Sequence, residues 1–306
     1  MKKTVLVLFF TALTLLGFAA TSYAWGPGIH MAIGNAVLAR PELLPAGIAR
    51  MLIANSAVFL YGCLSADIFI GKGSKAKKKH SHNWQTGFAL LDSAKDPHLT
   101  AYALGYLSHL AADIVAHNYY VPNLIKQAPS GGKISHVYIE MLADDQANWS
   151  SQQAARLFKQ PNHDADLSLR EYMDSKKLSF LLKKRVFRQS IGLLEKKSIN
   201  ASLNFSKKVV PAYQAEYLES ILDYSYRLVI NMLCDPHNAI ALNFDPIGSD
   251  HLALAKADKT WRNSLKRPLK FAPRFEVSNI ITELPKCEGV DCLLKDPSLR
   301  IPRLFS

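Results

Sequence analysis

Between residues 98 and 120 the chain carries a long apolar run with three chemistry-bearing residues set into it at a fixed interval: His109, Asp113 and His117. Small and large apolar residues mix there without the alternation of a strand, which argues for a buried helix. Side chains at i and i+4 lie one above the other on a helix, so the three form a stripe about 12 Å long at roughly 1.5 Å per residue. Leu104, Leu107, Leu110 and Ile114 give that helix an apolar setting. Two imidazoles and a carboxylate buried together are costly unless they are paired or hold a metal. His136 and Glu140 repeat the i, i+4 device further along. Two such helices facing each other can build a closed metal cluster inside a helical bundle.

Upstream lie Trp25, His30, Asp67 and His82. Imidazole and oxygen donors suit zinc, a borderline-soft ion that accepts both. Six of the 10 histidines (His30, His80, His82, His109, His117 and His136) fall near this constellation. His98, His163, His237 and His251 have no such company and suit surface or capping roles. Trp25 acquires its interest from the N-terminus. Lys2 and Lys3 precede an apolar run from Val5 to Ala20, and Ser22-Tyr23-Ala24 offers small residues at −3 and −1. This is the pattern of a signal peptide, too short to span a bilayer and cleaved after Ala24. Cleavage leaves a free α-amino group on Trp25, a metal ligand once deprotonated. The expected location is secreted or periplasmic.

Removing 24 residues leaves a chain long enough for one large domain, residues 25–306. The net charge of +12 falls by two with Lys2 and Lys3. A basic surface favours anionic partners, phospholipid or nucleic acid, without choosing between them. Helical spacing covers 30–40, 46–61, 98–120, 144–158, 166–195 and 212–233, and the stretch from Pro268 onward reads as irregular. Gly71 to Lys79 is Gly/Lys-rich and reads as a solvated loop. Of the four cysteines, Cys63 reads as a buried free thiol, while Cys287 and Cys292 are close enough to close a short disulfide loop.

Taken in order, Trp25 and His30, Asp67, Ser81-His82-Asn83-Trp84, His109-Leu-Ala-Ala-Asp113 and His136-x-x-x-Glu140 resemble the zinc-dependent phospholipase C family over about residues 25–142. The resemblance implies an all-α fold, a multi-helix bundle of the phospholipase C and P1 nuclease kind around a trinuclear zinc site. By resemblance, Trp25 (amine and carbonyl), His30 and Asp113 would hold one zinc ion. Asp67, His82, His109 and Asp113 would hold a second, with Asp113 bridging, and His117, His136 and Glu140 the third. Asp67 matches the position proposed in the family as general base. His80 competes with His82, which is preferred because Ser-His-x-aromatic matches the family motif.

One spacing departs from the pattern. Bacterial phospholipases C and S1/P1-type nucleases place the last histidine of the central motif six residues after the aspartate, whereas His117 follows Asp113 by four. The shorter interval is similar to that in the catalytic domain of glycosylphosphatidylinositol-specific phospholipase D. The expected function is zinc-dependent hydrolysis of phospholipids at a membrane surface, of the C type. D-type cleavage of glycosylated or inositol lipids is the runner-up. An S1/P1-like nuclease, the only reading with nucleic acid as partner, comes third. A zinc-stabilised secreted binding protein is the non-enzymatic alternative. No protein partner is implied. No Gly-x-Ser-x-Gly or Cys/His nucleophile motif occurs, as expected where activated water attacks phosphorus.

Overall fold

A computed structural model describes residues 25–69, 80–125, 133–193, 213–257 and 273–295, with the backbone alone at 133–138, 192–193, 213–215 and 256. Both the expected signal peptide and the Gly71–Lys79 loop lie outside these. The fold is all-α: among the described residues there is no strand, only a single bridge between Ala147 and Leu294. The helices used below are α1 (Pro27–Ala39), α2 (Ala46–Ala54), α3 (Ser56–Ser65), α4 (Trp84–Asp92), α5 (Pro97–Val115), α6 (Lys133–Gln146), α7 (Ser151–Leu157), α8 (His163–Tyr172), α9 (Lys177–Leu193), α10 (Tyr213–Cys234) and α11 (Ser249–Ala257).

Helix α5 is the axis of the bundle. Asp96 caps its start by accepting from Leu99 N at 2.8 Å, with Pro97 at the first helical position. Every residue from Ala101 to Val115 is buried. The helix continues through a π-helical turn, Ala116–Tyr120, into Val121–Leu124. The whole run is long and apolar enough to cross a membrane, but 89% of its most apolar window is buried inside the fold, as in a core helix. Helices α3, α4, α10 and α1 pack around it.

The α3–α5 crossing is set by two glycines. A Cβ on Gly62 would stand 2.2 Å from the Tyr102 carbonyl oxygen, and one on Gly105 would stand 2.1 Å from that of Phe59. Only backbone without side chains can approach so closely. Helix α3 is buried all round from Val58 to Ser65, so it is sandwiched rather than amphipathic.

Several expected helices are interrupted. The 46–61 segment bends by 90° at Asn55, whose Nδ2 donates to the Met51 carbonyl and so competes with the helix ladder. The 166–195 segment breaks where Asp174 takes φ 46°, a left-handed conformation. The 144–158 segment ends at Gln146 and restarts with Ser150 as N-cap, accepting from Gln153 N. Residues 273–295, the described part of the C-terminal stretch, are largely irregular, as expected, and are pinned to the end of α6 by Asn148 N to Leu293 O at 2.8 Å and Lys295 N to Gln146 O at 2.9 Å.

The short disulfide loop is a correction: all four cysteines are free. Gly289, at φ 103°, turns the chain into a 3-10 helix that carries Cys292 outward, while Cys287 packs against the core. Cys63 is buried, and burial pushes its thiol well above its usual range.

Candidate metal centre

The glycine crossing brings the backbone of α3 against the His109 turn of α5. His109 Nδ1–H donates to the Cys63 carbonyl at 2.8 Å, and since a carbonyl only accepts, Nε2 is the nitrogen turned into the site. At the end of α3 the chain enters a 3-10 turn, Ala66–Ile68, which carries Asp67. Asn83 caps α4 by accepting from Thr86 N at 2.7 Å, and His82 stands just before that cap. Its Nδ1 lies 3.0 Å from Ser81 Oγ, leaving Nε2 for the interior. Tyr106 of α5 fixes the segment by donating to the Ser81 carbonyl at 2.5 Å.

These side chains converge on Asp113. Its Oδ1 lies 3.1 Å from His30 Nε2 and accepts from Trp25 N at 3.2 Å. Its Oδ2 lies 3.2 Å from His109 Nε2 and 3.6 Å from His82 Nε2. Asp67 Oδ1 is 3.2 Å from His82 Nε2 and 3.9 Å from His109 Nε2, and the two imidazole Nε2 atoms are 3.1 Å apart. Two triads, His30/His109/Asp113 and Asp67/His82/His109, each bring their ligand atoms within 4.8 Å of one another.

Burial and neighbouring charge act against each other here. Burial pushes the Asp67 carboxyl up, but His109 and His82 bring it down to about 2. Asp113 is held well below the carboxylate range by His109 and His30 despite burial. Burial lowers His82 to about 4, whereas Asp113 and Asp67 outweigh burial at His109 and raise it to about 9. His30 is lowered by burial and by its stacked neighbour His109, the ring centroids 3.8 Å apart.

His117 lies in the π-helical turn one step beyond Asp113. Its Nδ1–H donates to the Pro246 carbonyl. Gly248 presses against it at φ 59°, where an added Cβ would stand 2.5 Å from the His117 carbonyl. His117 Nε2 is buried and makes no hydrogen bond, and His30 Nε2 and Asp113 Oδ2 face other members of the cluster at 3.1 and 3.2 Å without hydrogen-bond geometry. A buried lone pair without a donor is costly, and a cation is the partner that suits nitrogen and carboxylate oxygen together. The donor set therefore fits zinc.

Of the expected site residues, Trp25, His30, Asp67, His82, His109 and Asp113 come together. His117 and Glu140 are buried but belong to neither triad, and the His136 side chain lies outside the described residues. His80 is half-buried and outside both triads.

Three contributors escape a reading of the sequence. Asp144 of α6 accepts from Gly28 N at 3.0 Å and Ile29 N at 2.9 Å, serving as the N-terminal cap that α1 lacks in its own sequence. Burial pushes its carboxyl up to about 7 against the pull of those two donors. It continues the 136/140 stripe by one turn, which is the signal that could have found it. The segment 244–251, a loop running into the start of α11, cradles His117 and is tied to the Ser-His-Asn-Trp motif by Trp84 Nε1 donating to Phe244 O at 2.9 Å. His251, expected in a surface or capping role, is half-buried, and its Nδ1–H donates to Asn118 O at 2.6 Å on the π-turn. The remaining three isolated histidines are exposed.

No curated protein and no solved structure matches the chain. A family comparison does: residues 29–185, just over half of the chain, match the zinc-dependent phospholipase C family. The chain belongs to that family and is a phosphoric diester hydrolase of the phospholipase C type.

Proposed function

We propose that the chain is an exported hydrolase that cleaves phospholipids on the glycerol side of the phosphodiester, releasing diacylglycerol and a phosphorylated headgroup. The family match supports the C-type reading, and Asp113 supports the metal site behind it: Oδ1 faces Trp25 N and His30, and Oδ2 faces His109 and His82. That is the arrangement a bridging carboxylate needs. One zinc ion would be held by Trp25, His30 and Asp113, a second by Asp67, His82, His109 and Asp113, and a third by His117, His136 and Glu140. Zinc bound there would acidify water and neutralise phosphoryl charge.

The protein's own groups orient the reaction. Asp67, held down to about 2, stays ionised across neutral pH. An ionised carboxylate there suits the binding of cations and, beside bound zinc, would orient or deprotonate the attacking water. His109 and His117 each spend Nδ1–H on a carbonyl, which fixes the ring plane and keeps Nε2 as the inward donor. Export, with cleavage after Ala24, would turn Trp25 N into an amine beside Asp113 Oδ1.

The test is product analysis by mass spectrometry after the zinc-loaded enzyme has acted on a defined diacyl phospholipid. Diacylglycerol with phosphorylated headgroup is expected. Phosphatidic acid with free headgroup would replace this with D-type cleavage, and turnover of single-stranded nucleic acid alone would make it a nuclease.

A further inference from the structure

Helix α9 is anchored on one side and bare on the other. Phe180, Phe187 and Ile191 are buried at spacings of seven and four, with Phe180 against Phe69 and Phe187 against Phe158. Lys184 Nζ donates to Asp166 Oδ2 at 2.6 Å, and Lys183 lies over the Phe69 ring at 4.8 Å. Phe69 is two residues from Asp67, so the helix rests on the turn that presents the candidate site.

On the opposite side Leu178, Leu181 and Leu182 are 81%, 48% and 62% exposed. They stand at i, i+3 and i+4, one contiguous apolar stripe, with exposed Arg185 next along it and exposed Lys176 and Lys177 at its start. Helix α9 holds Lys177, Lys183, Lys184, Arg185 and Arg188 and no acidic residue. Among the described residues the other large exposed apolar side chains, Ile53, Leu254 and Ile280, come from three different helices and need no explanation. Three leucines together, with exposed Lys176, Lys177 and Arg185 beside them, are different.

We infer that the Leu178/Leu181/Leu182 face of α9 docks the enzyme on an anionic phospholipid bilayer. This deepens the phospholipase reading by naming the surface through which the enzyme meets its substrate. The chemistry fits: the leucines enter the acyl boundary while the lysines and arginines meet headgroup phosphates. A second copy of the chain fits poorly, because two such faces would bring like charges together in a protein of net charge +12.

The experiment places a local reporter on the face. The zinc-loaded chain beginning at Trp25 and carrying Leu182→Trp is mixed with phosphatidylcholine/phosphatidylglycerol vesicles, with or without brominated acyl chains, and fluorescence is read before appreciable hydrolysis. Quenching beyond that of the unmodified chain is expected. The Leu178→Ser/Leu181→Ser/Leu182→Ser variant, its fold checked by circular dichroism, should bind the vesicles at least about tenfold more weakly. No added quenching of the tryptophan, or undiminished binding by the triple variant, overturns the proposal. So does a dimer in lipid-free solution that the triple variant abolishes, if vesicles leave the tryptophan unquenched. Quenching without lipid turnover would sink the phospholipase reading and leave this surface standing, and turnover without quenching would do the reverse.

Discussion

Asp113 and Trp25 state the problem of the site at its smallest scale. A backbone N–H that donates to Asp113 Oδ1 at 3.2 Å belongs to a residue that is itself buried, with its indole N–H tied to Ala112 O at 3.0 Å. The side chain is thus a peg that holds the nitrogen in place. If that nitrogen becomes a free amine on export, one extra residue before Trp25 should convert it back to an amide, which has no lone pair to donate. Zinc content measured on the two forms should fall by one ion in the extended one, and equal content would remove Trp25 from the ligand set. His109 gives a second prediction, for the metal-free chain. Its folded value, about 9, lies above its ordinary 6.5 because Asp113 and Asp67 favour the imidazolium, so the folded state binds the extra proton. The contribution to stability is full below about 6.5 and is lost as pH rises through about 9. Thermal unfolding in chelator should therefore show a declining His109 contribution across that interval, absent from a His109→Gln variant. Zinc competes for the same nitrogen, so its affinity should rise with pH over the same window.

At the scale of elements, the stripe 109/113/117 was legible because helical periodicity and an apolar setting are both written in side chains. The angle at which α3 crosses α5 was not, although it decides whether the stripe has partners. That angle depends on Gly62 and Gly105 meeting the carbonyls of Tyr102 and Phe59, a coincidence between two segments that neither announces alone. The groups that orient the histidines were illegible for a simpler reason: Cys63 O and Pro246 O are backbone carbonyls, which every residue has. The four-residue interval from Asp113 to His117 was plain, but the π-helical turn that receives His117 was not, since nothing in Ala116–Tyr120 marks it. Such turns often accompany functional positions. A Gly62→Ala substitution tests the crossing. Its Cβ would meet backbone rather than a flexible side chain, so the helices must separate, at a cost of about 1–3 kcal/mol. Urea denaturation should report that loss, and zinc content should fall with it because Cys63 O and His109 part. A variant with full stability would mean that α3 slides without cost and that the glycines do not set the site.

The whole molecule binds its two halves through the site, although the family match stops at residue 185. Helix α10 lies beyond the matched span, yet its Ser225 hydroxyl accepts from Trp25 Nε1 at 3.2 Å. The segment 244–251 also lies beyond it and supplies the Pro246 carbonyl that orients His117. Asn123, at the end of the central helical run, accepts from Arg274 N and Phe275 N at 2.9 Å each, which ties in the C-terminal stretch. If residues 25–306 are one domain, as we propose, zinc binding and folding of the C-terminal half are one event. The zinc-loaded protein should unfold in a single calorimetric transition. Added zinc should raise that transition, since a ligand held at a hundred times its dissociation constant stabilises by about 2.7 kcal/mol. A chain ending at residue 193 keeps every proposed ligand but loses α10 and the Pro246 carbonyl. It should bind fewer than three ions, with the site that needs His117 failing first, because that ring would no longer be held in its tautomer and plane. Full zinc content in the shortened chain, or two separate transitions in the whole one, would show instead that the C-terminal half is an independent addition to a self-sufficient metal-binding core.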